Sequence, residues 1–449
     1  MKNLDKYKNF RIEREICDPI YKYIYVTKME NDIVDSEEFQ GLDRLYQTPS
    51  AHFVFPNATH TRKAHSLGVM YLADLSLKRL LYRHSSKMRK KIAPLLYDLF
   101  VLGDIKELDN FDDLLKDKDF TEILETVRVA ALCHDLGHGP FSHIFEDACN
   151  SLNEEGKCEK FSHEDMSARI IQERLSDKIK EPITADDVID ILLGRNEELM
   201  FLTSIIDGPY DVDKLDYVSR DAYHTGASEY GVIDYVRIID GFRVKDGKLL
   251  ISSSALGAVI DSFTATQYMY SNVYYHKTAR IFDFMIYEAM RMIPDFLNEI
   301  ITDLNTFIEI EDQNFISNVK KRICKSDGEN DYKNAYNILR DVLNRKKRYE
   351  NVFRYYVTLD VSSSKDNCLE KLKSHLESKY ADLKTKVDYT ARVKPIRIDT
   401  KKFYDWMEGN YIYDETTHQA KNLSDVNLAY FEMLKNCLLY TSPSPRDRG

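Results

Sequence analysis

Apolar residues recur every three to four positions through much of this 449-residue chain, a spacing that predicts amphipathic helices. The clearest helical segments cover residues 36–47, 64–81, 122–132, 162–175, 211–221 and 258–293. The last of these contains neither glycine nor proline, which predicts a helix without interruption. We therefore expect a mainly α-helical protein.

Shorter alternating patterns predict a few strands beside these helices. Residues 21–27 alternate apolar and polar side chains, which indicates a strand or hairpin before the main body. Residues 242–244 and 251–254 flank a turn at residues 245–248, a second predicted hairpin. Further β-like runs lie at residues 352–361 and 388–398, within a charge-rich region.

These patterns divide the chain into four parts. We expect an N-terminal segment at residues 1–34, a helical domain at 35–300 and a small mixed α/β C-terminal lobe at 301–436. Residues 437–449 do not continue the helical pattern. They resemble a translated sequencing adapter, although a disordered Ser-Pro tail is the alternative.

Composition and charge narrow the class of protein. A net charge of −11 disfavours extended nucleic-acid binding, which depends on Lys and Arg, but it leaves room for a local basic pocket. The seven cysteines lack metal-finger spacing, and their odd number disfavours a disulfide framework. No signal-peptide pattern or membrane-length apolar run is visible. We expect a cytoplasmic protein that does not enter membranes.

The densest candidate chemistry lies in residues 129–143. An apolar run leads to adjacent His134 and Asp135, and His138 and His143 follow closely. Imidazole and carboxylate ligands together suit Zn, Mn, Fe, Co or Ni better than Ca, so this stretch predicts a divalent metal site. The alternative is that His134 and His138, four residues apart, are ordinary polar residues on one helix face.

Isolated histidines elsewhere are weaker candidates. His65 lies near the start of a predicted helix, and His163 lies in the first turn after Ser162, a predicted N-cap. Each alone is more typical of a solvated or capping residue. His143 and Glu146 are three residues apart, a spacing that lets the carboxylate orient the imidazole.

Two further patterns place polar groups along single helix faces. Asp213, Tyr217 and Asp221 follow at intervals of four residues, which is typical either of a solvated acidic face or of a binding surface. Tyr274 and Lys277 lie on the face that also carries Tyr270. Such an aromatic stripe usually packs in a core, but a lysine at its edge can anchor phosphate.

The series His65, His134–Asp135 and Asp213 resembles the signature of the HD-domain phosphohydrolase superfamily. Residues 59–73, 133–143, 211–217 and 274–277 more specifically resemble its deoxynucleoside triphosphate triphosphohydrolase, or dGTPase-like, branch. The resemblance covers roughly residues 35–295. It implies an HD-domain helical core in which these four residues bind a divalent ion (Mn, Mg, Fe, Co, Ni or Zn).

The resemblance also implies roles for the remaining candidates. The ion would polarise the α-phosphate and lower the pKa of a bound water. His138 and His163 would contact phosphate oxygens as imidazolium ions, and His143, oriented by Glu146, would transfer a proton to the departing 5′-oxygen. The implied substrate contacts lie at the triphosphate or the sugar: Gln47, Arg62, Lys214, Tyr217, Asp221, Tyr274 and Lys277.

The function implied is hydrolysis of a dNTP to a deoxynucleoside and inorganic triphosphate by a dimer or tetramer of identical chains. One alternative is another HD phosphohydrolase, a nucleotidase or a phosphodiesterase acting on cyclic dinucleotides or single-stranded nucleic acid. Another is a nucleotide sensor without turnover. Three positions depart from the pattern of the branch: Gln40–Asp43 lacks two arginines, Thr266 replaces an arginine, and Glu146 replaces an aspartate.

Overall fold

The computed structural model describes residues 10–84, 120–245, 247–323, 329–349, 411–414 and 419–422. The chain forms two compact units, one of residues 1–351 with 413–418 and the other of residues 352–412 with 419–449. The mainly α-helical prediction is confirmed. The predicted β-like runs at 352–361 and 388–398 and the tail at 437–449 lie outside the described residues, and the predicted domain limits stay predictions.

The N-terminal hairpin is confirmed. Strands β1 (Ile12–Asp18) and β2 (Lys22–Thr27) pair antiparallel, with Ile16 opposite Ile24. Helix α1 (Lys28–Val34) follows directly, and Thr27 and Glu30 form a capping box at its start. The hairpin therefore leads into the helical body without a linker.

The predicted helix at 36–47 is shorter than expected. Helix α2 (Glu37–Gly41), capped by Ser36, gives way to a 3₁₀ turn at Leu42–Arg44. Leu45 is extended because its carbonyl accepts a hydrogen bond from the Arg62 backbone at 3.0 Å. The chain leaves the helix in order to pair with residues 60–62.

The centre of the first unit consists of three helices. Helix α3 (Arg62–His84) packs against α4 (Phe120–Cys133), and the shorter helices α5 (His143–Glu154), α6 (His163–Ile170), α7 (Ala185–Leu192) and α8 (Met200–Ile206) follow α4. Helix α9 (Val212–Thr225) then packs against α3. Gly68 makes this approach possible, since a Cβ atom there would lie 1.9 Å from Asp216 Oδ1.

The second predicted hairpin is also confirmed. Helix α10 (Tyr235–Asp240) precedes antiparallel strands β3 (Phe242–Lys245) and β4 (Lys248–Ser252). The uninterrupted helix predicted at 258–293 is wrong, because α11 (Leu256–Met269) widens into a π turn at Tyr270–Tyr274 and α12 (Lys277–Arg291) starts anew after His276 caps its first turn. Such π turns are frequent at functional sites.

Four helices and two strands complete the described chain: α13 (Pro294–Thr302), α14 (Leu304–Glu309), α15 (Asp312–Arg322), α16 (Glu329–Leu343), β5 (Tyr411–Asp414) and β6 (Gln419–Asn422). Asp312, at the start of α15, accepts hydrogen bonds from the backbone of Tyr46 at 2.9 Å and Phe141 at 2.6 Å. It thereby ties two loops together. Within the described ranges, the helices are too short or too polar to span a bilayer.

Candidate metal and catalytic site

Three central elements bring the four predicted metal ligands together. His65 lies in the first turn of α3, His134 and Asp135 directly follow the last residue of α4, and Asp213 lies in the first turn of α9. His65 and Asp135 are buried. We call these four residues the metal group.

The side chains of the metal group converge on one point. His65 Nε2 lies 2.8 Å from Asp213 Oδ1, and His134 Nε2 lies 3.3 Å from Asp135 Oδ1. One ligand atom from each of His65, His134 and Asp213 lies within 4.8 Å of the other two, which suits a shared cation. Asp135 flanks these three residues, with its Oδ2 3.7 Å from His65 Nε2.

Neighbouring groups fix which nitrogen each histidine presents. His65 Nδ1 is 2.8 Å from Asp216 Oδ2, and His134 Nδ1 is 2.8 Å from the Ala131 carbonyl. Each ring therefore donates from Nδ1 and directs Nε2 towards the metal group. The buried Nε2 of His134 has no hydrogen-bond partner among the described residues, as expected of an atom that ligates a cation.

Electrostatics also favour a cation at this point. Burial opposes a charged imidazole, but hydrogen bonds to Asp213 and Asp216 outweigh it and raise the pKa of His65 to about 10. Burial likewise opposes a charged Asp213, yet the neighbouring His134 and His65 rings lower its pKa. The residues present thus fit a divalent ion, which can replace the proton as the positive charge.

Beside the metal group lies a second cluster, which we call the histidine group: His138, His143, Glu146 and His163. The rings of His138 and His163 stack with centroids 4.1 Å apart, and His143 meets both edge-on. Asp135 joins the two groups, since its Oδ1 is 3.3 Å from His138 Nε2. Three histidine nitrogens of the cluster also lie close enough to hold an ion.

Glu146 lies nearer to His163 than to His143. Its Oε2 is 3.0 Å from His163 Nδ1 and 3.5 Å from His143 Nδ1. The sequence predicted that Glu146 orients His143, and the structure adds His163 as the closer partner. The side chain of His143 is 69% exposed and can exchange protons with solvent.

The pKa values of two histidines in this group are shifted in opposite directions. Burial, followed by the nearby Arg62, lowers the pKa of His138 well below its usual value. Burial also acts against a charged His163, but its hydrogen bond to Glu146 outweighs this effect and raises the pKa. Within the stacked pair, His163 therefore holds a proton more readily than His138.

The predicted phosphate contacts lie at different depths. Arg62 is buried, with Nη1 2.5 Å from Asp135 Oδ2 and Nε 2.8 Å from Ser142 Oγ. The Lys214 amine binds Asp211, the N-cap of α9, and Lys277 is exposed at the start of α12. Arg62 thus touches the metal group directly, while the two lysines lie on separate helices.

The predicted sugar contacts include a tightly held carboxylate. Asp221, two turns along α9 from Asp213, receives the Tyr274 hydroxyl on Oδ2 at 2.6 Å. The Tyr217 and Tyr274 rings meet edge-to-face, 6.3 Å apart. Gln47 lies in the loop before α3, and its Oε1 is buried without a hydrogen-bond partner among the described residues.

Sequence reasoning missed two residues that hold the site together. Asp216 fixes His65 and is itself held by Arg220 through two hydrogen bonds of 2.9 Å. His60 contacts Asp221 with its ring at 2.5 Å. Asp216, three residues after Asp213, offered a helical-spacing signal, whereas His60 lay in a predicted loop that offered none.

The positions that depart from the branch's pattern make local contacts. The Thr266 hydroxyl donates to the Ser262 carbonyl of its own helix at 2.8 Å. Gln40 binds the Val34 carbonyl, and Asp43 accepts from the Thr61 hydroxyl at 3.1 Å. Thr266 thus stays within its own helix, whereas Asp43 contacts the segment that leads into α3.

Comparisons with known proteins agree with this geometry. Residues 62–221 match the HD domain family, and residues 233–346 match the HD associated region. A Dictyostelium discoideum protein named as a homologue of the deoxynucleoside triphosphate triphosphohydrolase SAMHD1 is 27% identical, over 98% of this chain and 84% of its own length.

Two further relatives extend the match. An uncharacterized protein of Methanocaldococcus jannaschii is 32% identical over 76% of this chain, which spans 59% of that protein's length. The crystal structure of a hypothetical protein from Aquifex aeolicus superposes with a TM-score of 0.60 at 25% identity, covering 93% of both chains. The chain therefore carries an HD domain followed by an HD associated region, and it is homologous at moderate identity, over most of its length, to proteins named as deoxynucleoside triphosphate triphosphohydrolases.

Proposed function

We propose that this protein hydrolyses deoxynucleoside triphosphates to deoxynucleosides and inorganic triphosphate. The observation that carries the proposal is the face of α9, where Asp213 belongs to the metal group and Asp221 is held by Tyr274 two turns later. Eight residues of helix span about 12 Å, which leaves room for phosphates at one end and a sugar at the other. The names of the relatives support the same substrate class.

A divalent ion bound by the metal group would polarise the α-phosphate and make water a better nucleophile near neutral pH. The chain's own residues divide the remaining work. Arg62 neutralises phosphate charge next to Asp135, and Lys214 and Lys277 extend that role along the triphosphate. His163, whose pKa is raised by its hydrogen bond to Glu146, stabilises charge on the phosphoryl oxygens, while His138, with its Nε2 3.3 Å from Asp135 Oδ1, contacts the phosphate beside it.

His143 is the group that protonates the departing 5′-oxygen. Its exposed ring can regain a proton from solvent after each turnover, and Glu146 restrains it from 3.5 Å. At the other end, Gln47, Tyr217, Asp221 and Tyr274 surround the sugar. Asp221 accepts a hydrogen bond from a sugar hydroxyl on the lone pairs that Tyr274 leaves open.

Product analysis tests this proposal. The purified protein is incubated with each dNTP and Mn²⁺ or Mg²⁺ in ¹⁸O-labelled water, and intact triphosphate carrying the label is expected beside an unlabelled deoxynucleoside. The Asp135→Asn variant serves as the inactive control. Release of orthophosphate or pyrophosphate alone would contradict the proposal.

A second candidate is another HD phosphohydrolase, a nucleotidase or a phosphodiesterase. The observation in its favour is that His138, His143 and His163 could hold an ion of their own next to the first, as in two-metal hydrolases. Two ions per chain and turnover of nucleoside monophosphates, cyclic dinucleotides or oligonucleotides would favour it. One ion and dNTP turnover favour the first proposal.

The assembly is part of the same proposal. We expect a homo-oligomer, a dimer or a tetramer, as the resemblance of the four motifs to the dGTPase-like branch implies. The missing arginines at Gln40–Asp43 bear on whether nucleotide drives assembly. Light scattering with and without dNTP measures both the state and its dependence on nucleotide.

A further inference from the structure

His60 contacts two of the candidate sugar ligands, Asp221 and Gln47, although the proposed function gives His60 no role. Its ring Nε2 lies 2.5 Å from Asp221 Oδ1, and its backbone carbonyl accepts the Gln47 backbone N–H at 3.0 Å. Both side chains of the His60–Asp221 pair are almost fully buried, at 1% and 3% exposure. A single residue thus joins the loop before α3 to the far end of the α9 face.

The hydrogen bonds around Asp221 set its orientation. His60 occupies one oxygen and the Tyr274 hydroxyl occupies the other, at 2.6 Å. A carboxylate offers about four lone-pair positions, so one on each oxygen stays open. Because both oxygens are tethered, the carboxylate cannot rotate, and the open lone pairs keep a fixed direction.

The surroundings of His60 fix which nitrogen donates. Its Nδ1 is buried and has no hydrogen-bond partner within the described ranges, so a proton on Nδ1 would be left unsatisfied. The ring also stacks on His224, with centroids 4.5 Å apart and an interplanar angle of 11°. Nε2 therefore carries the proton and points at Asp221, and the stack holds the ring plane.

We propose that His60 is a positioning residue that orients Asp221, and with it Gln47, towards the hydroxyl of the substrate's sugar. The inference rests on the proposed function, because Asp221 and Gln47 are sugar contacts only there. The side-chain contacts described for His60 are with Asp221 and His224, which lie outside the metal group. It acts through the carboxylate that recognises the 3′-hydroxyl.

The test compares a dNTP with its 2′,3′-dideoxy analogue, which lacks that hydroxyl. His60→Phe keeps a ring that can stack on His224 but removes the donor. We expect kcat/KM to fall about tenfold to hundredfold for the dNTP and by less than about threefold for the analogue. The Asp221→Ala variant should show the same selectivity, and adding His60→Phe to it should cause little further loss.

Two amide variants distinguish an effect of His60 on the orientation of Asp221 from an effect on folding. Gln places its amide nitrogen near the position of His Nε2, and Asn places it near Nδ1, so His60→Gln should restore most of the dNTP preference and His60→Asn should not. His224→Phe, which keeps the stack, should leave the ratio between the substrates unchanged. This comparison holds even if His60→Phe does not fold.

The outcomes distinguish the two levels of the proposal. Equal losses for the dNTP and the analogue in both His60→Phe and His60→Asn would mean a structural role only and would overturn the inference, while triphosphate release by the wild type would still support the proposed function. If the wild type released no triphosphate from any dNTP, the proposed function would fail and the assignment of His60 would fail with it.

Discussion

The metal group and the histidine group share Asp135 but are held in place by different means. In the metal group, both histidines have a second hydrogen-bond partner behind them, Asp216 and the Ala131 carbonyl. In the histidine group, two histidines share one carboxylate, Glu146, and His143 is largely exposed. The two metal-group histidines are thus fixed by buried partners, whereas the histidine group exposes His143 to solvent.

The difference matches two kinds of chemistry. A bound ion requires ligand atoms fixed within a few tenths of an ångström, which buried partners supply. Proton transfer requires exchange with solvent, and the exposed ring of His143 allows it. Substitutions in the metal group should therefore change metal content, and those in the histidine group should change turnover at constant metal content.

The largest effect is expected from His134→Ala, which removes a proposed metal ligand whose Nε2 has no hydrogen-bond partner among the described residues. We expect dNTP hydrolysis to fall about a thousandfold or more. Metal content per chain, measured by mass spectrometry, should fall with it. His163→Ala is the matched variant from the other group and should lose activity while keeping its metal. Wild-type metal content in His134→Ala would refute the ligand assignment.

A smaller effect is expected from Asp216→Asn, which changes the side chain that orients His65. Asparagine offers one acceptor oxygen where His65 Nδ1 and two Arg220 nitrogens now share two, so the His65 tautomer is held less firmly and metal affinity should fall about tenfold to hundredfold in a calorimetric titration. The control is Asp18→Asn. Asp18 is the other carboxylate on Arg220, at 2.7 Å, and it does not contact His65.

Both variants should lower the melting temperature, because each weakens the pairing of the fully buried Arg220. Only Asp216→Asn should weaken metal binding. If both variants reduced metal affinity equally, the role of Asp216 would be general stability and not the orientation of His65.

The sequence predicted the residues of the metal group better than the residues that hold them in position. The ligands lie in short motifs with recognisable spacing, and their elements are strongly periodic helices. Asp216 and Arg220 lie on the same predicted helix, but their partners, His65 and Asp18, are more than 150 residues away along the chain. Contacts of this kind depend on how α3 and the end of β1 meet α9, which no local pattern encodes.

The sequence also did not predict where helices are interrupted. Residues 258–293 lack glycine and proline, yet the helix opens into a π turn and ends where Tyr274 reaches Asp221. A tertiary hydrogen bond accompanies this departure from local propensity. The early end of α2 has a similar explanation, since Leu45 pairs with Arg62.

The smallest effect, and the most specific to the histidine group, is expected from Glu146→Gln. Burial opposes ionisation of Glu146, but its hydrogen bonds with His143 and His163 lower its pKa, so it is a carboxylate at neutral pH. That charge raises the pKa of His163, which therefore keeps its proton to higher pH. Removing the charge leaves burial dominant, and the pKa of His163 falls.

Because the proposed mechanism uses protonated His163, the alkaline limb of the kcat/KM profile should move down by about one pH unit in Glu146→Gln. Activity should drop about tenfold at pH 8 and less at pH 6, with unchanged metal content. Glu164→Gln is the matched control, since Glu164 lies 3.4 Å from the same nitrogen but is 52% exposed, where solvent screens its charge. A larger shift in Glu164→Gln would transfer the role of Glu146 to its exposed neighbour, and an unchanged profile in both would mean that His163 acts without its charge.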